Sequence, residues 1–432
     1  MNNPLSNLAG KRAEGVLAGI PSYCTANPLA IEGVLEQAKR FDTAVLIEGT
    51  SNQVNQFGGY TGMKPADYRD FVYGIADRIG FERSKIILGG DHLGPQPFQN
   101  LPESQAMEYS KEMVRQYVLA GFTKIHLDTS MRVADDDRNT RLSDLTIATR
   151  GAILMTVAEE AFKELQKQDP DVMHPVFIIG SEVPIPGGAQ VKEEMCVTGA
   201  ADFKATVGTY KEVFEKYGIS DLWQYVIAVV VQPGVEFGDA DVHMYNREDA
   251  KELCAALTTQ NDVVFEGHST DYQSAVALRK MVEDGIAILK VGPALTFAAR
   301  EALFALSRIE AELIDDPAKR SNYEAVVEEV MLANPGNWQK YYKGTEKEQA
   351  LKRAYSYSDR SRYYMGDAKI EAAMEKLFAN LEGADIPMGM LHQYMPLQYL
   401  SVRDGLIPMT PRALVLDAVR VVCDDYNYAV AR

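Results

Sequence analysis

The chain has 432 residues and a formal net charge of -17, enough length to bury a sizeable core and too acidic a balance to hold a nucleic-acid backbone or an anionic lipid surface. It contains no uninterrupted apolar run of about 20 residues, which excludes a helical membrane span. Met1 to Gly15 lacks the continuous apolar segment of a secretory signal, so a cytoplasmic protein is expected. The four cysteines, Cys24, Cys196, Cys254 and Cys423, show no CxxC spacing. They are expected to be reduced thiols rather than a disulfide framework or a zinc knuckle.

From Gly19 onward a short apolar run, a polar or glycine-bearing loop and a helix-like stretch repeat. Candidate strands are Gly19–Cys24, Thr43–Glu48, Lys85–Asp91, Thr123–Asp128, Pro175–Glu182, Tyr225–Gln232, Asp262–Glu266 and Ile286–Val291. Eight is the number at which a parallel sheet closes into a TIM barrel. Helices are predicted over Leu29–Phe41, Asp67–Ile79 and Glu103–Ala120, each with a proline near its start, where the missing N–H costs little. Gly121, Gly218 and Gly285 stand where helices should end in left-handed caps. Strand and helix in alternation demand parallel strands with right-handed crossovers. An open doubly wound sheet is the alternative, but no GxGxxG follows the first strand.

The alternation stops near Ala318. The expected architecture is therefore an α/β (β/α)8 barrel over residues 1–318 that carries the site, with an appended helical region over 319–432 packed on it. The last helix is predicted to begin near Thr410-Pro411-Arg412. No glycine-, serine- or proline-rich linker separates the parts.

Acids and imidazoles recur at the predicted strand ends: Glu48, Asp91 with His92, His126 with Asp128, Glu182, Glu266 with His268. Ile86 to Pro95 shows the pattern most clearly, an apolar run ending in Asp91, His92 and a Gly94-Pro95 turn. If the sheet closes, these groups share one mouth, where side chains at the C-terminal ends of strands face the reaction space. So many charges close together need a neutralising cation. A divalent metal of zinc or manganese type on nitrogen and carboxylate donors meets that need. The competing reading of any single member is a helix cap or an internal salt bridge.

Glycine-bearing loops follow several strands: Gly58-Gly59 after the second, Gly187-Gly188 after the fifth, Gly267-His268-Ser269 after the seventh and Gly292 after the eighth. In barrels a phosphate commonly rests on amides after the last two strands, which singles out Gly267, Ser269 and Gly292. Arg360, flanked by Arg362 and several tyrosines, could add a cation or could be a solvated arginine. Neither a GxxxxGK[ST] loop nor a protein-kinase motif set occurs, so nothing recommends ATP-dependent phosphoryl transfer.

Several longer motifs carry a resemblance. They are Tyr23-Cys24-Thr25-Ala26-Asn27-Pro28, Ile47 to Gln56, Gly89 to Pro95, His126-Leu127-Asp128-Thr129-Ser130-Met131, Gly180 to Pro184, Tyr355 to Arg360 and Pro396-Leu397-Gln398-Tyr399. Together they are similar to the so-called non-catalytic Z-subunit family of class II D-tagatose-1,6-bisphosphate aldolase. The resemblance implies galactitol or N-acetylgalactosamine breakdown through tagatose 6-phosphate. Members of the family have been described as accessory subunits of a catalytic partner, as tagatose-6-phosphate kinases, or as C4-epimerases of ketohexoses. More distantly the barrel resembles the catalytic class II aldolases, whose zinc sits on three histidines. Asp91-His92 matches their third-strand pair, whereas Gln232 and Glu266 stand where the other two histidines would be.

Two functions follow from these readings. The first is a metal-dependent C4-epimerase of a phosphorylated ketohexose. It would use Asp91, Glu48, Asp128 and Glu266 in catalysis, His92, Glu182 and His268 as metal ligands, and Ser51, Gln53, Gly267, Ser269, Gly292 and Arg360 around the substrate and its phosphate. The second is an accessory protein that stabilises a separate catalytic aldolase subunit through an exposed apolar or aromatic surface, for example around Trp338 or His392 to Tyr399. Oligomeric assembly is left open by both.

Overall fold

A computed structural model describes residues 3–180 and 196–431. Eight parallel strands form a closed barrel: β1 (Ile20–Cys24), β2 (Val45–Thr50), β3 (Ile86–Leu93), β4 (Lys124–Leu127), β5 (Val176–Ile179), β6 (Val226–Val231), β9 (Val264–Gly267) and β10 (Ile286–Val291), which returns to pair with β1. A two-stranded antiparallel ribbon, β7 (Glu236–Phe237) with β8 (Val242–His243), stands outside that sheet. All eight predicted strands are present. The fifth was expected to run to Glu182, which lies outside the described residues, as do Gly187 and Gly188.

Helices follow the strands as the alternation requires. They are α1 (Leu8–Ala13), α2 (Pro28–Phe41), α3 (Pro65–Ile79), α4 (Glu103–Leu119), α5 (Asp144–Gln168), α6 (Ala200–Lys216), α7 (Lys251–Leu257), α8 (Ala275–Glu283) and α9 (Pro293–Leu313). Gly121, Gly218 and Gly285 have φ of 88°, 68° and 96° and end their helices in the left-handed region. No helix among the described residues is long and apolar enough to cross a membrane.

The region past Ala318 is helical: α10 (Tyr323–Ala333), α11 (Glu346–Tyr355), α12 (Ala368–Leu381), α13 (Met388–Tyr394), α14 (Pro396–Arg403) and α15 (Pro411–Val430). Thr410 caps α15 by accepting a hydrogen bond from the Ala413 amide. α15 packs against α2, α8 and α9 and so takes a place in the barrel's outer ring. The fit is close: a Cβ on Gly33 would lie 2.9 Å from Val419 Cβ, so only glycine lets α2 approach. A second tie is the buried carboxylate of Asp359, which accepts from Arg300 Nε (2.9 Å) and Thr296 Oγ1 (2.6 Å) of α9 and from Ser361 Oγ (2.7 Å). The Tyr355–Arg360 motif is thereby clamped over the end of the barrel.

Inside the barrel the period-two alternation of a strand sorts side chains into layers. Leu46, Ile87, Val176, Ile178, Ile227, Val230, Val264 and Ile288 form an apolar layer toward the N-terminal end, plugged by Leu5, Leu8 and Ala9. The plug is fixed by Asn3, whose side chain donates to the Thr123 carbonyl at 2.8 Å just before β4. Further along β2, β3, β9 and β10 the character changes. Leu46 gives way to Glu48, Ile87 to Gly89 and Asp91, Val264 to Glu266 and Ile288 to Lys290, while Lys124 and His126 join from β4.

Candidate active site at the C-terminal mouth

Alternation alone would send Asp91 and His92 to opposite faces of β3. His92 instead adopts φ 51°, and the β3–β4 register shifts between Gly90 and Leu93. This local break aims both side chains into the mouth. Gly89 is needed just below, because a Cβ there would lie 2.5 Å from Glu48 Oε1.

The floor of the mouth is an ionic layer that is fully buried. Lys124 Nζ lies 2.6 Å from Glu48 Oε1 and 2.7 Å from Glu266 Oε2. Lys290 Nζ pairs with Asp91 and stands 3.5 Å from Glu48 Oε2. Burial opposes the charge on both lysines, but the carboxylates prevail and push each pKa above its ordinary value, so both stay protonated. Much of the neutralisation for which a metal was invoked is therefore supplied by Lys124 and Lys290, neither of which was singled out in the sequence. The signal was present: each is a lysine inside an otherwise apolar strand run, at the inward-facing register.

Above the lysines, three imidazoles meet. The ring centroids of His92, His126 and His268 lie 5.0 Å (His92 to each of the others) and 5.3 Å (His126 to His268) apart. His126 offers Nδ1 to Asp91 Oδ1 (2.9 Å) and Nε2 to the Gly180 carbonyl (2.9 Å). The His92 amide also approaches His126 Nδ1, at 3.3 Å. Burial opposes a charge on this ring, but the Asp91 hydrogen bond and charge raise its pKa above the ordinary histidine value. His268 is the opposite case. Burial, then Lys290 and His92, hold its pKa far down and keep it neutral, with Nε2 2.8 Å from Glu266 Oε1.

His92 Nδ1 lies 2.8 Å from Asp128 Oδ2, and Asp128 in turn accepts from the Ser130 amide and hydroxyl at 3.1 Å and 2.7 Å. Burial would raise both Asp91 and Asp128. For Asp91 the charges of His92, Lys290 and His126 outweigh it, and for Asp128 the His92 hydrogen bond does. Both carboxyls are held below the usual range and are ionised.

The donor chemistry suits a divalent cation. Asp91, His126, Glu266 and His268 present ligand atoms that all lie within 4.8 Å of one another, and Cys24, Glu48 and Asp91 form a second such group. A neutral His268 is in the ligating state. A cation on the first group would have to displace Lys290 from Asp91 or the proton from His126. The Cys24 thiol donates to Glu48 Oε2 at 3.4 Å, and its pKa is raised chiefly by burial, so it is a protonated thiol.

A cavity of about 780 Å³ opens above this floor, with Asp91, His92, His268 and Lys290 in its wall, a size that suits a small polar ligand. Among the predicted substrate contacts, Gln53, Ser269 and Gly292 also line it. Ser51 is buried, with Oγ donating to Gln96 Oε1 at 3.3 Å. A Cβ on Gly267 would point at Ile286 and Met281, away from the mouth. Arg360 is buried too, donating to the Asn337 carbonyl at 2.9 Å with its guanidinium 3.1 Å above the Tyr341 ring. The arginine in the cavity wall is Arg362, which donates to the Asp359 carbonyl and Tyr363 hydroxyl at 2.9 Å each. Glu182 lies outside the described residues.

A closed parallel barrel whose C-terminal mouth gathers ionised acids, imidazoles and a cavity defines a TIM-barrel protein. Within that class the chain belongs to the family described as "D-tagatose-1,6-bisphosphate aldolase subunit GatZ/KbaZ-like", whose pattern matches residues 5–431. It is 46% identical over 98% of both chains to the "D-tagatose-1,6-bisphosphate aldolase subunit GatZ" of Salmonella paratyphi B, and equally so to that of Salmonella typhimurium. Among solved structures, that of "a probable tagatose 6 phosphate kinase from Sinorhizobium meliloti 1021" superposes with a TM-score of 0.87 at 46% identity, covering 96% of this chain and all of that one.

Proposed function

We propose that this chain is a metal-dependent C4-epimerase of a ketohexose 6-phosphate, acting in the cytoplasm and interconverting the tagatose and fructose forms. The observation that carries the reading is the convergence of ionised Asp91 with Lys290 and three imidazoles on the floor of a sugar-sized cavity. Hydrogen at C4 is not acidic, because the carbonyl is at C2. Cleaving the C3–C4 bond instead leaves the electron pair conjugated with that carbonyl.

In this scheme Asp91 takes the proton of the C4 hydroxyl as C4 becomes an aldehyde and the C3–C4 pair passes into an enediolate. The aldehyde turns, C3 attacks its opposite face, and Asp91 returns the proton to the oxygen on C4. A carboxylate held ionised by His92, Lys290 and His126 has little affinity for a proton, so the return step is easy and the first needs electrophilic help at C2. A divalent cation of zinc or manganese type supplies that pull when bound. His92, Glu182 and His268 are the proposed ligands, with Glu266 and His126 the further donors nearby. Asp128 fixes the His92 ring through Nδ1. Glu48 and Glu266 hold Lys124, which keeps the layer beneath the reacting atoms charged and rigid. Gln53 and Ser269 are proposed contacts to the sugar, with Arg362, in place of Arg360, supplying the positive charge. Walls that exclude water keep the two fragments together until they rejoin.

A second reading is supported by the description of the Salmonella relatives as aldolase subunits: the chain would bind and stabilise a separate class II tagatose-1,6-bisphosphate aldolase subunit. One experiment separates the two. The purified chain is incubated alone with tagatose 6-phosphate and zinc or manganese, and fructose 6-phosphate is assayed. Turnover that is lost with a chelator and in His92→Ala is expected. Inertness of the chain, together with a raised Tm of an added aldolase subunit, would replace the enzyme by the helper.

A further inference from the structure

A guanidinium withdrawn from water needs an opposite charge beside it, and three buried arginines of this chain have one. Arg150 holds Glu103 and Asp136, Arg300 holds Asp359, and Arg353 holds Glu328. Arg360 and Arg362 differ: among the described residues neither is ion-paired with a carboxylate. Arg360 is turned away under Tyr341, whereas Arg362 stands in the cavity wall. Arg362 Nη1 donates to the Ser358 and Asp359 carbonyls and Nη2 to the Tyr363 hydroxyl. These bonds fix the guanidinium and leave Nε–H and the second hydrogen of Nη2 without a partner among the described residues. The acids that feel its charge are already engaged. Asp359 is held by Arg300 and Thr296, and Asp271 by the Gly292 amide at 3.0 Å and the Ala294 amide at 2.8 Å.

Other places where an anion could settle are closed. A barrel ordinarily seats phosphate on the amides after its last strands, and here Asp271 occupies two of them. Lys124 and Lys290 are taken by Glu48, Glu266 and Asp91, and His268 is neutral. We infer that the turn over residues 358–364, which belongs to the appended helical region, forms an anion subsite in which Arg362 and the Tyr363 hydroxyl bind the phosphate of a phosphorylated sugar. This deepens the epimerase reading and rests on it for the sugar, though not for the anion. Two N–H groups on one planar guanidinium match two oxygens of a phosphate. Tyr363 also lines the cavity, and because its oxygen accepts from Arg362, its own O–H is left to donate. Its ring lies 4.5 Å from the Arg362 guanidinium carbon and 5.7 Å from that of Arg360. Burial would raise the Tyr363 pKa, but the charges of Arg362 and Arg360 carry it below its ordinary value and so make the phenol a stronger donor. Tyr60 packs against it from the loop after β2, with ring centroids 4.9 Å apart. A chain of net charge -17 offers anions no attraction at long range, so recognition has to come from fixed local donors of this kind. The cavity is then a joint product of two parts of the chain, with the barrel supplying the reacting groups and the appended region the grip on the phosphate.

Calorimetric titration of the full chain with tagatose 6-phosphate, tagatose and inorganic phosphate tests the inference without reference to turnover. The wild type is expected to bind the phosphate ester about tenfold or more above the free sugar, the factor conferred by one charge-assisted hydrogen bond. Inorganic phosphate should compete with the ester. Arg362→Gln should abolish the preference and leave the affinity for tagatose unchanged. Because Arg362 also braces the Ser358 and Asp359 carbonyls, two milder variants accompany it: Arg362→Lys keeps the charge and Tyr363→Phe keeps the ring. Each should weaken the ester more than the free sugar. A wild type without the preference, or a preference unchanged in every variant that folds, overturns the inference. A preserved preference in a chain that turns nothing over removes the epimerase and leaves the subsite. Turnover with a preference insensitive to residues 362 and 363 removes the subsite and leaves the epimerase.

Discussion

The two ends of the barrel interior are built by the same strands and differ in what holds them together. Toward the N-terminal end, Leu46, Ile87, Val264 and Ile288 meet under the plug of Leu5 and Leu8, and the layer is stabilised by removal of apolar surface from water. Further toward the C-terminal end, Glu48, Asp91, Glu266, Lys124 and Lys290 meet with no less burial. Here the partners are obligatory: a buried charge is tolerated only while its opposite stays beside it. The difference teaches where this fold can bear change. The apolar layer yields gradually to trimming, whereas the ionic layer fails as a unit.

Breaking the ionic layer should give the largest effect. Lys124→Met leaves Glu48 and Glu266 facing one another without their shared cation and is expected to cost about 3–5 kcal/mol, read by urea unfolding; a loss below about 1 kcal/mol would show that the layer is solvated or protonated instead. Trimming the apolar layer sharpens the contrast. Leu46→Ala should cost about 2–5 kcal/mol through its cavity, with an unfolding free energy that keeps the wild-type dependence on pH.

Smaller effects are expected at the margin of the mouth. Burial pushes the Glu236 carboxyl up to about 7 from 4.5, so between those values the folded chain holds a proton that the unfolded chain has released. Stability therefore falls as pH rises through that window. Glu236→Gln should remove that part of the slope and leave the variant about 1–3 kcal/mol more stable than wild type at pH 8 than the same comparison gives at pH 4. At the other extreme, Arg83 and Asp77 pair on the open surface, with half of each side chain in solvent. Arg83→Ala should leave Tm within experimental error, because water screens such a pair.

The eight apolar runs, the prolines at helix starts and Gly121, Gly218 and Gly285 at helix ends were legible along the chain, because they answer to constraints that act over a few residues. The acids and imidazoles at strand ends were legible for the same reason. Other features were not. Arg360 and Arg362 stand two letters apart on one short turn, and only packing decides that the first stacks on Tyr341 while the second faces the cavity. His92 is an ordinary strand residue until the break at φ 51° turns it inward.

What the sequence by itself determined is the alternation that makes a parallel barrel and the supply of ionisable groups at its mouth, since hydrophobic periodicity and chain punctuation are local properties. Only the tertiary structure decided that Lys124 and Lys290 neutralise those acids and that Asp271 sits on the amides after the eighth strand. Such pairings join residues scores of positions apart, and the free energy of a buried charge depends on which partner closure of the sheet brings within hydrogen-bonding distance.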